Sequence, residues 1–162
     1  MKEIWIGCDH GGYEMKLQIL EYLREHSIPY KDVGCHSTDI VRYPYYAGLV
    51  AGAVSRGEAE RGILICSTGI GMSIVANKYR NVRASMCDSA YCGRMTRAHN
   101  NSNILCLGGK TTGIFVALTI LEQWLNTGYD GGRHDISLGL LKEVEGVNLS
   151  DELWEPDMEH QL

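Results

Sequence analysis

With 162 residues, 44% of them apolar, the chain is long enough for one full hydrophobic core and too apolar for extended disorder. A net charge of -5 with no long basic run argues against a nucleic-acid partner. No apolar segment is long enough to span a membrane, and Met1-Lys2-Glu3-Ile4 does not open a secretory signal, so a cytoplasmic protein is expected. The six cysteines, Cys8, Cys35, Cys66, Cys87, Cys92 and Cys106, form no C-x-x-C pair, and several end apolar runs. They read as reduced thiols rather than as a disulfide framework.

Lys2 to Cys8 reads as a strand centred on Ile4-Trp5-Ile6, broken by Asp9-His10-Gly11-Gly12. A helix follows to about His26, with Leu17, Leu20 and Leu23 on one side. Pro29 to Val33 is a short strand and Gly34 to Arg42 a polar loop. Pro44 suits the first turn of a helix, where its missing N–H costs nothing. Ala47, Val50, Ala51 and Val54 then form an apolar stripe at helical spacing. Arg61 to Cys66 is the third strand, followed by a helix from Ile70 to Tyr79. Val82 to Cys87, a helix from Ser89 to His99 and a strand from Asn103 to Leu107 continue the pattern. Ile114, Ala117, Leu118, Leu121 and Leu125 mark a long helix. Strand and helix thus alternate as in a parallel sheet covered on both faces. Residues 1–130 read as this domain and 131–162 as a C-terminal segment. That segment has a turn-rich linker, a short helix over Ile136 to Glu145, and an acidic tail from Asn148 to Leu162 anchored by Leu149, Leu153 and Trp154. Such a tail either frays or docks on a neighbouring subunit.

Ligands of open parallel sheets bind beyond the carboxyl ends of the strands. Read in order, those ends carry Cys8-Asp9-His10, Gly34-Cys35-His36, Cys66 to Gly71, Cys87-Asp88 and Gly108-Gly109-Lys110. Cys66 is either a small buried hydrophobe or a reactive thiol; the loop after it, with Gly69 and Gly71, exposes backbone N–H groups fit for an oxyanion. Asp9 is either a helix cap or, with His10 and two glycines, a binder of sugar hydroxyls or phosphate. His99 closes a helix, where the dipole favours a cation; spacing leaves its place in the site open. Cys and His show none of the short spacings of a zinc site, and no carboxylate cluster resembles a cation cage, so no metal is expected.

Gly7-Cys8-Asp9-His10-Gly11-Gly12, Tyr43-Pro44, Gly62 to Ile74, Ala76-Asn77-Lys78, Val82-Arg83-Ala84, Arg97-Ala98-His99-Asn100 and Gly131-Gly132-Arg133-His134 together resemble the type B ribose-5-phosphate isomerase family, which includes galactose-6-phosphate isomerase subunits. The resemblance runs over about residues 1–135 in order. It implies a Rossmann-like, three-layer α/β/α sandwich with a five-stranded parallel sheet. It also implies a homodimer or dimer of dimers with shared active sites, and a reaction that needs no cofactor. By the same resemblance Cys66 is the base that moves a proton between C1 and C2. The backbone of Ser67, Gly69, Ile70, Gly71 and Met72 holds the enediolate, Thr68 assists proton movement on the oxygens, and His99 with Asp9 nearby opens the furanose ring. Asn100 and Tyr43 line the sugar, and His10, Lys110 and Arg133 take the phosphate.

The chain departs from the family pattern at that last group. Lys110 and Ser137 stand where arginines are usual, Arg42 where an Asp is common, Ser67 for a frequent Gly and Asn101 for a frequent Asp. Lys lacks the planar fork of Arg, and Ser lacks the charge. One lost charge-assisted contact of ~1.5–3 kcal/mol weakens affinity roughly 10- to 150-fold. The expectation is therefore an isomerase whose substrate is not ordinary ribose 5-phosphate, with Arg42 as a candidate replacement charge. The alternative is a phosphosugar sensor that kept the fold and lost turnover. A dinucleotide binder is disfavoured, since the glycine pattern with its following acidic residue is missing.

Overall fold

The computed structural model describes residues 3–160. Lys2, at the head of the expected first strand, and Gln161 and Leu162, at the end of the expected tail, lie outside the described residues.

Strands β1 (Ile4–Cys8), β3 (Gly62–Cys66) and β5 (Ile104–Gly108) form the middle of a five-stranded parallel sheet, edged by β2 (Tyr30–Asp32) and β4 (Ala84–Met86) in the order β2-β1-β3-β5-β4. Every residue of β3 and β5 is buried. A parallel strand covered on both faces must be apolar at nearly every position, as Ile63-Leu64-Ile65 and Ile104-Leu105-Cys106-Leu107 are. The two edge strands are three residues each, shorter than the expected Pro29 to Val33 and Val82 to Cys87, although backbone bonds from Ile4 N to Pro29 O and from Val33 N to Ile6 O continue the pairing at β2.

The described residues form six α-helices: α1 (Tyr13–Glu25), α2 (Tyr43–Ser55), α3 (Ile70–Ala76), α4 (Ala90–Asn100), α5 (Ile114–Asn126) and α6 (Arg133–Asn148), the last lying against α4 rather than on the sheet. α2 packs with α3, whereas α5 packs with α1 and α4, giving the three expected layers. The stripe Ala47, Val50, Ala51 and Val54 of α2 is buried as its spacing predicts. In α1 the buried face is Met15, Lys16, Ile19, Leu20 and Leu23, while Leu17 stays 47% exposed. Residues 16, 19, 20 and 23 hold the strict helical repeat, and Leu17 lies on its flank. Helix α3 ends three residues before Tyr79 because Asn77 pins the chain to β4. Its Nδ2 donates to Ser73 O and Ala84 O at 3.0 and 2.9 Å, and its Oδ1 accepts from Ala84 N at 2.9 Å. No described helix is long and apolar enough to cross a membrane.

The C-terminal helix is longer than expected. α6 runs for 16 residues, from Arg133 rather than Ile136, and buries none of them. Residues 150–156 lie against α2 and the end of α3 of their own chain. Trp154 and Pro156 lie over Gly48 of α2, and the Tyr79 hydroxyl donates to Trp154 O at 2.8 Å.

Chain order matters for the site. β5 inserts between β3 and β4, so Gly108 pairs with Cys66. The chain leaves β1 toward β2 and returns to β3 on the other side, and the crevice at such a reversal is where open sheets take ligands.

Candidate active site

Cys66 ends β3, 5% exposed, and its Sγ accepts the Gly69 N–H at 3.1 Å. Gly69 makes this possible with φ +77, a left-handed conformation that side chains strain to adopt, and so closes the loop back over the sulfur. Ser67, Thr68, Ile70, Gly71 and Met72 complete the loop and the first turn of α3. Thr68 Oγ1 accepts the Ile70 N–H at 3.3 Å. A Cβ on Gly71 would lie 2.9 Å from the Tyr43 ring, so Tyr43, the first residue of α2, rests directly on this loop.

The flanking loops close around it. Gly109 N donates to Cys66 O at 2.7 Å and Lys110 N to Ser67 O at 2.9 Å. Asp9, 7% exposed, holds the turn after β1 by accepting the Gly11 N–H at 2.9 Å. Burial raises its carboxyl above the ordinary 3.8, against the hydrogen bonds from Gly11 and Gly12 that lower it. His10 Nδ1 accepts from Val41 N at 3.3 Å, which joins the loop after β1 to the one before α2 and leaves Arg42 one residue from that contact. The Arg42 side chain is exposed and makes no hydrogen bond or ion pair with the described residues. His10, Ser67 and Lys110 line one cavity of about 380 Å³, together with Glu14, Met15 and Thr38. Behind Cys66, burial pushes the Cys106 thiol well up and that of Cys87 to about 12, so neither competes as a nucleophile. Cys8 and Cys35 are free thiols with their sulfurs 3.7 Å apart.

His99, Asn100 and Arg133 are not part of this cluster. α4 ends at Asn100 and leads into the start of β5, at the level of Gly62 rather than Cys66. Four residues of strand separate those levels, about 13 Å at the usual rise. His99 therefore stands at the opposite sheet edge from Asp9, and the two do not meet within one chain. Its ring stacks on His134, beside Arg133, with centroids 4.3 Å apart and planes 15° apart. Arg133 opens α6 at this edge, away from His10 and Lys110. Ser137 is exposed on the same helix. Ligand atoms of His99, Asp130 and His134 lie within 4.8 Å of one another, a set able to hold a divalent ion. The stacking, however, aims the in-plane lone pairs of the two rings side by side rather than at one point.

Glu14 and Thr38 were not singled out from sequence. Glu14 reads there as an ordinary first-turn acid, and its one signal is its spacing of four residues from His10. Asp130 joins His99 through the linker before α6, where its N–H donates to Ala98 O at 3.0 Å, and His134 through the stacking of its ring.

A profile of the Ribose/Galactose Isomerase family matches residues 4–140, which takes in both clusters and all five strands. The chain belongs to this family. Within it, ribose-5-phosphate isomerase B of Escherichia coli is 41% identical over 145 residues, covering 90% of this chain and 97% of that protein. The solved Clostridium thermocellum ribose-5-phosphate isomerase B superposes with a TM-score of 0.87 at 44% identity, covering 89% and 97% of the two chains. D-Erythrulose-4-phosphate isomerase of Pectobacterium atrosepticum is 36% identical over 133 residues, 82% of this chain and 88% of that one. Residues past 140, including the tail on α2, lie outside the Ribose/Galactose Isomerase profile.

Proposed function

We propose that this chain is a sugar-phosphate isomerase in which Cys66 moves a proton between C1 and C2 through a cis-enediolate. The thiolate takes the proton from C2 of the open-chain aldose, and the electron pair moves into the C1–C2 bond to give the enediolate. The thiol returns the proton to C1 while the hydroxyl proton passes from O2 to O1 with Thr68 alongside, leaving the ketose. Amides of Ser67 to Met72 hold the developing negative charge, a task worth roughly 3 kcal/mol for a single well-placed donor. The observation that carries this reading is the Cys66 sulfur held at the mouth of a backbone-amide loop, in a chain of this family, with Tyr43, His10 and Lys110 around it.

A second copy of the chain supplies His99, Asn100 and Arg133. Two observations support this. The two clusters stand at opposite edges of one sheet, and α6, which carries Arg133, leaves Ile136, Leu140, Val144 and Val147 exposed in a row. The active unit is then a homodimer or a dimer of dimers.

The substrate is a sugar phosphate other than ordinary ribose 5-phosphate. Within one chain the cavity at His10 has Lys110 as its one permanent cation among the described residues, and the Glu14 carboxylate offsets it. Arg42, unpaired and next to the His10 contact, restores charge from the other side. Relatives named for a pentose and for a four-carbon ketose phosphate support leaving the chain length open. A panel of four- to six-carbon aldose and ketose phosphates, with the unphosphorylated sugars beside them, tests this. Turnover of one of them above that of ribose 5-phosphate is expected. Ribose 5-phosphate as the best substrate contradicts the altered handle. Binding without solvent deuterium entering the sugar converts the reading to a sensor.

A further inference from the structure

Residues 150–156 belong neither to the sheet nor to the family match, yet they are tied down along their length. Asp151 pairs with Arg80 and Glu155 with Arg56, the latter at 2.8 Å. Between these stakes the Trp154 ring lies over Gly48 of α2, where a Cβ would come within 2.8 Å of it, and 5.8 Å from the Tyr45 ring. Its carbonyl accepts the hydroxyl of Tyr79, three residues past the end of α3 and buried enough that its pKa is pushed up to about 12. The segment therefore holds α2 with one hand and the end of α3 with the other. The segment is not packed solid on the first turn of α2 and the outer face of α3. A cavity of about 410 Å³ lies between them and the segment, lined by Pro44, Val75, Tyr79, Leu153 and Trp154.

These two helices carry the reaction centre. α2 begins with Tyr43, which rests on Gly71, and α3 begins with the amides that follow Cys66. We propose that residues 150–156 are a positioning strap, anchored by Trp154, that keeps Tyr43 and the Gly69–Met72 amides in register for catalysis. This rests on the isomerase reading for what the amides do, but not for the mechanical coupling. Trp154 touches none of the reacting groups and acts through α2 and α3.

Three chains test the strap: the intact protein, Trp154→Ala, and a chain ending at Leu149. Hydrogen exchange read by mass spectrometry is expected to rise about tenfold or more over residues 66–76 in both altered chains, with β5 unchanged. On whichever sugar phosphate the intact chain turns over best, kcat is expected to fall about tenfold with KM within about threefold. Trp154→Phe restores both, as does a peptide of residues 149–160 added to the shortened chain. Unchanged exchange over 66–76, or a rise spread evenly over the sheet, overturns the strap. Failure of the intact chain to turn over any sugar phosphate overturns the isomerase reading instead and leaves the exchange result to decide the strap.

Discussion

At Asp9 stability and function pull apart. Its folded carboxyl is raised above 3.8 mainly by burial, so the folded chain holds this proton more tightly than the unfolded chain does. The sign follows: its contribution to stability falls as pH rises through the raised value, and at neutral pH the buried carboxylate is a burden. Asp9→Asn keeps an oxygen for the Gly11 N–H and removes the charge. Its unfolding midpoint is expected to lie above that of the wild type at pH 7, with the gap shrinking toward pH 4, while turnover drops. A calorimetric pH series beside an activity assay checks both. In the neighbouring cavity, Glu14→Gln removes the acid facing Lys110 and should lower KM for the phosphorylated substrate several-fold, whereas Arg42→Ala should raise it about tenfold or more. Initial-rate kinetics separate the two, and an unchanged KM in Arg42→Ala assigns the phosphate to other residues.

Among the elements, α1 shows how a charge can be built into a core. Lys16 is fully buried, and its Nζ donates to Asp32 Oδ1 and to Cys35 O, each at 2.6 Å. Asp32 Oδ1 also accepts from Gly34 N at 2.9 Å, so this pair fixes the end of β2 and the loop that starts there. Removing one partner of a buried pair costs about 3–5 kcal/mol, so Lys16→Met should lower the midpoint of a chain this size by roughly 6–20 °C. A shift under a few degrees in a thermal melt contradicts that role. Lys16 also shows where sequence reading stops. Leu20 and Leu23 mark the buried face in the sequence, but a Lys on that face reads as solvent-facing until Asp32 is placed beside it. The strands β1, β3 and β5 were legible because doubly covered strands leave no room for polar residues. The cluster around Cys66, Asp9 and His10 was legible because strand ends of a parallel sheet share one edge. The insertion of β5 beside β3 and the far-edge position of His99 were not, since they depend on crossovers that leave no local pattern. Nor was the tail, whose anchors Leu153 and Trp154 are plain while their receptor on Gly48 and Tyr79 is assembled from distant segments.

For the molecule as a whole, the proposed sharing of the two clusters between copies would make the active unit larger than one chain. Cys66→Ala and Arg133→Ala should each be poorly active alone at substrate below KM. Unfolded together and refolded, they should regain about a quarter of wild-type activity, because half of the pairs then hold one site with both residues intact. No regain places Arg133 and Cys66 in the same chain's site, or Arg133 in none. Solvent deuterium reads the base itself directly. The intact chain, incubated in heavy water with the sugar phosphate it prefers, is expected to incorporate deuterium at the carbon next to the carbonyl. Cys66→Ala is expected to bind the same sugar phosphate and incorporate none over many wild-type turnover times. Incorporation by Cys66→Ala at a rate near that of the intact chain would assign the proton to another group and overturn Cys66 as the base.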